Sequence, residues 1–269
     1  MPFSTMGFMR SNCSTGFKAP KHGIIPQMSI ISFMPQAIKR KLRIFLNYLL
    51  PTESITESKE KWNSMAKENS RYFVKTNHGQ EINEETFQKS GEEDFKEHIE
   101  EDSFLIQKLG DLKERSVLEI GCGTGRITEF LARRFKTVAG IDISEEMIRV
   151  GKERLKNLPN VRLLATDGLS YPFPSLSFDF VFSFIVFQHM PDTATIRKNF
   201  EEISRVLKDG GIGKIQLRGE PTSKKYRFYG PAFDREGVER LLADLPLKVI
   251  KTEGEGGRYF FIWFQKSAK

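Results

Sequence analysis

The chain has 269 residues, of which 39% are hydrophobic and 29% are charged, as is ordinary for a folded globular protein. This composition excludes a collagen, a disulfide scaffold and a wholly disordered chain. The apolar stretches, such as 44–50, are too short to span a bilayer. Two cysteines, Cys13 and Cys122, form neither a disulfide framework nor a cysteine-rich zinc site. We therefore expect a cytoplasmic protein without a metal ion.

The net charge of +7 comes from the N-terminal end of the chain. Residues 1–50 contain seven basic and no acidic residues, which leaves equal numbers of each in 51–269. Because the remainder is neutral, its charge gives no reason to expect a nucleic-acid partner. Residues 1–36 lack an apolar period and are expected to be a disordered basic leader. The leader either resembles an organellar presequence or reflects a later start of translation, at Met28 or Met34.

Residues 37–108 are expected to form a helical extension or lid. Within them, 37–50 predicts a short basic amphipathic helix, which could lie on an anionic membrane or dock on the domain. Further helices are predicted over 58–75 and 84–110. Three aromatic residues of the first of these could either line a binding site or belong to the core: Trp62, Tyr72 and Phe73.

Residues 109–269 are expected to form one domain in which strands alternate with helices. The predicted strands are Val117–Ile120, Thr137–Ile141, Val161–Ala165, Phe178–Phe184, Ile212–Leu217, Leu247–Thr252 and Arg258–Phe264. The predicted helices are Arg126–Phe135, Glu145–Leu158, Thr193–Leu207 and Arg235–Leu242, with Gly210 and Gly211 closing the third. This alternation predicts an α/β, doubly wound, mostly parallel sheet of seven strands with a C-terminal antiparallel hairpin.

A glycine-rich turn joins the first strand to the first helix of this domain, which is the position where doubly wound folds bind nucleotides. A phosphate-binding P-loop needs a second glycine and a lysine where Arg126 and Ile127 stand. A dinucleotide-binding G-x-G-x-x-G motif would need its third glycine at Arg126. What remains is G-x-G-x-G, with the acid Glu119 two residues before its first glycine.

This pattern of Glu119, Gly121, Gly123 and Gly125 resembles the first motif of the class I S-adenosylmethionine-dependent methyltransferases. The resemblance spans about 109–217 and implies a Rossmann-like fold, with S-adenosyl-L-methionine as the cofactor. It also implies that Glu119 binds the ammonium group of the cofactor and that Asp142 binds both ribose hydroxyls. The full implied cofactor-binding set is Glu119, Gly121, Cys122, Gly123, Gly125, Asp142, Ile143, Met147, Asp167, Gly168, Ser183 and Gln188.

The expected activity is methyl transfer to an oxygen or nitrogen atom of a small molecule. His189, which follows the fourth strand, is the candidate catalytic base for a hydroxyl acceptor, although it could instead cap or pack its loop. The alternatives are an inactive cofactor-binding module and a nicotinamide-dependent oxidoreductase. The stretch Phe184–Val186 lacks the Asn/Asp-Pro-Pro-aromatic signature of methyltransferases that act on nucleic-acid bases and glutamine amines.

The segment Arg218–Tyr229 is basic and aromatic and follows the fifth parallel strand. Because ligands bind at the C-terminal edge of such sheets, this segment could bind an acidic acceptor, or it could be only a solvated loop. The cations that would bind an acidic molecule are Arg218, Lys224, Lys225 and Arg227. The acceptor and the oligomeric state are not predictable from these patterns.

Overall fold

A computed structural model describes residues 54–74, 83–220 and 229–268, with no description of the side chains of 71–74. The predictions for residues 1–50, including the leader and the membrane or docking helix, lie outside these ranges, as do those for Lys224, Lys225 and Arg227. In the described part of the chain, no helix is both long and apolar enough to cross a membrane.

The centre of the fold is a seven-stranded sheet in the order β3-β2-β1-β4-β5-β7-β6. The strands are β1 (Ser116–Ile120), β2 (Thr137–Asp142), β3 (Val161–Ala165), β4 (Phe178–Ser183), β5 (Leu207–Leu217), β6 (Leu247–Glu253) and β7 (Phe260–Lys266). The first five pair in parallel, while β7 is antiparallel to both β5 and β6. This arrangement confirms the predicted doubly wound sheet and its C-terminal hairpin.

Helices cover the sheet and precede it. They are α1 (Ile55–Val74), α2 (Glu84–Phe95), α3 (Ser103–Leu109), α4 (Thr128–Arg134), α5 (Glu145–Arg154), α6 (Thr193–Val206) and α7 (Arg235–Leu242). Backbone dihedrals at Asn69 interrupt α1, and a π-helical turn, Lys96–Glu100, continues α2. Asn, Asp or Ser side chains accept backbone N–H groups at several helix starts: Asn83, Asp102, Ser144, Asp192 and Asp234.

The end of α6 differs from the prediction that Gly210 and Gly211 close this helix. The helix ends at Val206, and Leu207 already has extended backbone dihedrals. Leu207 is fully buried and pairs with Phe178 of β4, so the strand begins directly after the helix. Tertiary pairing therefore sets this boundary, and Gly210 lies inside β5 with a φ of +75°.

The helices before β1 share the core of the sheet. Phe95 and Leu105, from α2 and α3, belong to the same buried cluster as Phe180 of β4. A buried ion pair joins the two parts, because Lys214 Nζ of β5 lies 2.8 Å from Asp102 Oδ2 at the start of α3. The indole nitrogen of Trp263 donates to the same oxygen at 2.8 Å. These contacts anchor the wall that α2 adds to the cavity described below.

Candidate active site

A cavity of about 410 Å³ opens at the C-terminal ends of β1, β2 and β4. Nine of the twelve predicted cofactor-binding residues line it, together with His189: Glu119, Gly121, Cys122, Gly123, Asp142, Ile143, Met147, Gly168 and Gln188. Gly125, Asp167 and Ser183 do not line it. The cavity also has lining residues from α1, α2 and the β6–β7 hairpin. Residues that are distant in sequence therefore meet here.

The glycine loop after β1 lines the cavity together with Glu119 and Asp142, and we call this part of the lining the glycine-loop end. Gly121 and Cys122 donate their N–H groups to the carbonyl of Ile141 at 2.7 and 3.0 Å, which ties the loop to the end of β2. Gly121 has a φ of +72°, and a Cβ there would lie 2.1 Å from a methyl group of Val186. Glycine is thus required here by both backbone conformation and space.

Gly125 serves packing at the back of the same loop. Its φ is +81°, and a Cβ would lie 2.5 Å from Leu155 Cδ1, beside the end of α5. Cys122 also has a packing role, since it is buried and shares a small apolar cluster with Leu155 and Leu163. Burial raises the pKa of the Cys122 thiol well above its usual value, with Asp142 and Glu119 adding to the effect. A thiolate nucleophile at this position is therefore disfavoured.

Asp142 ends β2 and presents its carboxylate to the cavity. Oδ2 accepts the Gly123 N–H at 2.9 Å, and Oδ1 accepts the Ser144 N–H at 2.8 Å. Burial raises the pKa of Asp142, and these backbone donors oppose the rise. Each carboxylate oxygen has a second lone pair, so the group can still accept hydrogen bonds from two ligand hydroxyls.

Glu119 lies at the end of β1 and is only 4% exposed. Its Oε2 accepts a hydrogen bond from the Thr128 hydroxyl at 2.5 Å. Burial raises the pKa of Glu119 to about 8, against the lowering effects of the Thr128 hydroxyl and the Arg126 cation. The buried carboxyl therefore favours its protonated form at neutral pH unless a cation comes close to it.

Arg126 is a lining residue that sequence reasoning used only to exclude two motifs. Nη1 donates to the Ser90 carbonyl at 2.8 Å, and Nη2 lies 2.5 Å from Asp94 Oδ2. Its buried Nε–H has no hydrogen-bond partner among the described residues. Gly91 allows α2 to approach this closely, because a Cβ there would lie 2.2 Å from the Arg126 carbonyl oxygen.

Two of the predicted cofactor residues that do not line the cavity form hydrogen bonds with neighbouring backbone groups instead. Asp167 is exposed, and its Oδ1 accepts the N–H groups of Leu169 and Ser170 at 2.8 and 2.7 Å, a turn arrangement. The Ser183 hydroxyl donates to the Ile120 carbonyl at 2.9 Å and joins β4 to β1. Their cofactor roles stay predictions, whereas their present contacts are structural.

His189 also lines the cavity, from a 3-10 turn after β4, and we call the lining around it the aromatic end. Its Nε2 is 3.0 Å from the side-chain nitrogen of the buried Gln188. Its ring stacks on Tyr229 with a centroid separation of 5.1 Å and meets Trp62 edge-on at 5.6 Å. Two predicted acceptor-side elements, α1 and the end of the Arg218–Tyr229 segment, therefore reach the same side chain.

The basic segment contributes less charge to the cavity than its sequence suggests. Arg218 is buried, donates to the carbonyl and carboxylate of Glu220, and does not line the cavity. Its guanidinium lies 4.3 Å from the Tyr229 ring centroid. Arg258, from the β6–β7 hairpin, does line the cavity, and its guanidinium donates to the Tyr229 hydroxyl at 3.3 Å.

A wall of aromatic residues beside Arg258 was not predicted. His98 of the π-helical turn lies 4.3 Å from the Phe184 ring and 5.0 Å from the Phe261 ring, and Tyr259 lies 5.8 Å from Phe184. Burial, with the nearby Lys214 cation, lowers the pKa of His98 to about 4. His98 is therefore a neutral, largely apolar part of the wall at pH 7.

Residues 117–211 match the family model described as a methyltransferase domain. Over 131 residues the chain is 34% identical to the demethylmenaquinone methyltransferase of Staphylococcus aureus strain MRSA252. The matched region covers 48% of this chain and 53% of that protein. The chain thus spans about half the length of the curated relatives that it matches.

Solved structures share the fold at low sequence identity. The geranyl diphosphate C-methyltransferase of Streptomyces coelicolor, solved with S-adenosyl-L-homocysteine, matches 70% of this chain and 86% of its own, with a TM-score of 0.54 and 20% identity. Phosphoethanolamine N-methyltransferase 1 of Haemonchus contortus, also solved with S-adenosylhomocysteine, matches 82% of this chain and 50% of its own, with a TM-score of 0.62 and 16% identity. Residues 117–211 therefore match a methyltransferase-domain family, and these solved methyltransferases share the fold of the chain.

Proposed function

We propose that the protein transfers a methyl group from S-adenosylmethionine to an oxygen or nitrogen atom of a small molecule. The observation that supports this most strongly is that one cavity joins two chemically different ends. One end carries the glycine loop with the Glu119 and Asp142 carboxylates, and the other carries His189 among aromatic rings. The named functions of the relatives agree with methyl transfer to small molecules.

The polar groups at the glycine loop fit the cofactor. An ammonium group would offset the burial of the Glu119 carboxylate, and ribose hydroxyls would use the remaining lone pairs of Asp142. A carboxylate would satisfy the buried Nε–H of Arg126. Ile143 and Met147 add apolar surface suited to an adenine ring. When bound, S-adenosylmethionine supplies an electrophilic methyl group carried on a sulfonium.

The aromatic end supports a ring-bearing hydroxyl acceptor. Trp62, Tyr229 and Phe184 provide flat apolar surface against which an aromatic ring can pack. A hydroxyl must lose its proton as it is methylated, and a neutral imidazole at His189 can accept that proton near pH 7. A neutral amine needs no such base. The presence of His189 at this end therefore favours oxygen over nitrogen as the acceptor atom.

Arg258 supports an acidic substituent on the acceptor. Among the described residues, no carboxylate forms an ion pair with its exposed guanidinium, which donates to the Tyr229 hydroxyl. A carboxylate or phosphate on the acceptor would give this cation a partner at the rim of the cavity. Of the expected extension or lid over 37–108, the described helices α1 and α2 would form a wall beside the acceptor, to which α1 contributes Trp62.

The direct test is to incubate the protein with S-adenosylmethionine labelled in its methyl group and a panel of acceptors. The panel pairs phenols with the matching anilines, each with and without a carboxylate. We expect labelled product and S-adenosylhomocysteine with the acidic phenols, and much less with the Asp142→Asn variant. Absence of S-adenosylmethionine binding would contradict the proposal. Binding without product from any acceptor would favour the inactive-module alternative.

A further inference from the structure

Two buried glutamines connect β5 to His189 through a continuous series of hydrogen bonds. Gln216 Oε1 accepts the Ile185 N–H at 2.9 Å. Gln216 Nε2 lies 3.3 Å from Gln188 Oε1, and Gln188 Nε2 lies 3.0 Å from His189 Nε2. Both glutamines are at most 1% exposed, so water does not replace these partners. We call this series the amide relay.

The direction of the amide relay follows from its first donor. A backbone N–H only donates, so the Gln216 atom that faces Ile185 is the oxygen. The Gln216 nitrogen then faces three acceptors, which are the Leu217 carbonyl, Gln188 Oε1 and, at the longest distance of 3.5 Å, the Arg258 carbonyl. Gln188 must therefore turn its own nitrogen towards His189. Since that nitrogen has no lone pair to offer, His189 Nε2 is the acceptor.

The relay also supports an unusual backbone conformation. Ile185 has a φ of +59°, in the left-handed region that β-branched residues rarely occupy. Such a conformation persists only where the surroundings impose it. The hydrogen bond from Ile185 to Gln216 does so at the point where the chain leaves β4. The turn that carries Gln188 and His189 follows directly.

We propose that Gln216 is a positioning residue that fixes the tautomer of His189. Through Gln188 it keeps the imidazole lone pair on Nε2 and the proton on Nδ1. The functional consequence rests on the proposed function. Nε2 is the nitrogen that takes the proton of a hydroxyl acceptor. When the acceptor binds, its hydroxyl replaces the Gln188 amide as the hydrogen-bond partner of Nε2. Trp62 and Tyr229 also contact the imidazole, and the Arg218 cation lies over the Tyr229 ring rather than in direct contact with His189.

The tautomer can be measured without any substrate. Long-range proton–nitrogen NMR correlations of the full-length protein distinguish an imidazole protonated on Nδ1 from one protonated on Nε2. The chain has four histidines, and the His189→Ala variant identifies the signals of His189. We expect a single species at pH 7.5, protonated on Nδ1. An imidazole protonated on Nε2 in the wild-type protein would overturn the proposal.

Two substitutions change the relay in different ways. Gln216→Met removes both of its hydrogen-bonding atoms at similar length, so His189 should show both tautomers. Gln188→Glu replaces the donor that faces His189 with an oxygen, so Nε2 should become protonated. The second variant tests the relay even if the first does not fold. His189 signals unchanged in Gln188→Glu, or in a folded Gln216→Met, would overturn the proposal.

Gln265→Met is the matched control. Gln265 lies on β7, and its side-chain nitrogen donates to the Gly210 carbonyl at 2.9 Å, near the N-terminal end of β5. This variant removes a glutamine hydrogen bond from the same sheet without touching the relay. We expect the wild-type His189 spectrum. A His189 tautomer change in this control equal to that in Gln216→Met would assign the effect to general loosening of the sheet and overturn the specific role of Gln216.

Kinetics link the relay to methyl transfer once an acceptor is known. Gln216→Met should lower kcat by roughly tenfold, with the affinity for S-adenosylmethionine unchanged, and should have little effect in a His189→Ala background. An equal loss in both backgrounds would show that Gln216 does not act through His189. If the NMR results hold and no acceptor is methylated, the relay stands and the proposed function fails. If an acceptor is methylated but the NMR results differ from those expected, the relay is rejected and the proposed function stands.

Discussion

The two ends of the cavity hold their polar groups in different ways. At the glycine-loop end, the Asp142 carboxylate accepts backbone N–H groups of Gly123 and Ser144, which follow the ends of two neighbouring strands. At the aromatic end, His189 is in contact with rings from residues far away in sequence, Trp62 and Tyr229. Backbone hydrogen bonds therefore hold the polar group of the first end, whereas side-chain contacts between separate segments hold that of the second.

Substitutions at the two ends should therefore affect different steps of the reaction. Changes at the glycine-loop end should act on the affinity for S-adenosylmethionine, since its groups face the cofactor. Changes at the aromatic end should act on the rate of transfer at saturating cofactor, because its groups face the acceptor. A variant of one end that produced the effect expected of the other would break the comparison.

The largest effect is expected from Gly123→Val. Gly123 has a φ of +54°, and its N–H is bound by Asp142 at the edge of the cavity. A branched side chain there strains the loop and fills space next to the ligand, so S-adenosylmethionine binding should be abolished. Isothermal titration calorimetry measures this directly.

Gly210→Val is the matched control for this substitution. Gly210 also has a positive φ, +75°, but a Cβ there would meet no atom within 4 Å, and the residue does not line the cavity. The control should lose thermal stability through backbone strain and keep its affinity for S-adenosylmethionine. Unchanged affinity in Gly123→Val would show that the loop does not contact the cofactor.

His189→Ala should lower methyl transfer to a hydroxyl acceptor by roughly a hundredfold, the scale of general base catalysis. Its affinity for S-adenosylmethionine should stay close to that of the wild type, because His189 lies at the aromatic end. Single-turnover rates at saturating cofactor give the first value, and calorimetry gives the second. His189→Gln should not restore the rate, since an amide cannot accept the proton. Full activity in that variant would leave His189 only a packing role.

Glu119→Gln should have opposite effects on binding and on stability. It removes the negative charge that would attract the ammonium group, so affinity should fall by about tenfold. The folded-state pKa of Glu119 is raised to about 8, so its ionisation opposes folding. The contribution of Glu119 to the stability of the wild type should therefore decrease as the pH rises from about 4.5, its pKa in the unfolded chain, through about 8, its pKa in the folded protein.

The pH profile of the melting temperature checks the sign. The melting temperature of Glu119→Gln relative to the wild type should rise as the pH increases from about 5.5 to about 8.5. Calorimetry in buffers of different ionisation enthalpy adds a second readout. The wild type should release a proton on binding S-adenosylmethionine at pH 7, and the variant should not. A pH-independent difference would show that Glu119 is already ionised in the free protein.

The glycine-loop end was predictable because its residues belong to one short motif and to the end of the next parallel strand. Glu119 and Gly121 stand in one motif, and Asp142 follows at the end of the next parallel strand, which topology places beside it. The order of alternating strands also predicted the sheet. Asp167 shows the limit of this reasoning, because its position after β3 was correct while its carboxylate is bound by its own turn.

The aromatic end was predictable only in fragments. His189 and Trp62 were candidates, but no local pattern says that they meet. His98 and Arg258 carry no sequence signal, since they reach the cavity through the packing of α2 and through the hairpin. Long-range pairing and burial decide such positions. The same holds for Gln216, whose role depends on Ile185, in the turn that follows the neighbouring strand β4.

The central claim is that this cavity binds S-adenosylmethionine through the glycine-loop end. The most direct measurement is calorimetric titration of S-adenosylmethionine into the wild-type protein and the Asp142→Asn variant. The variant keeps a side-chain oxygen for the loop but loses the charge that strengthens hydrogen bonds to ribose, each on the order of 1.5–3 kcal/mol. We predict measurable wild-type binding and an affinity at least about tenfold weaker in the variant, with a similar melting temperature. No binding by the wild type, or equal binding by both, would contradict the claim.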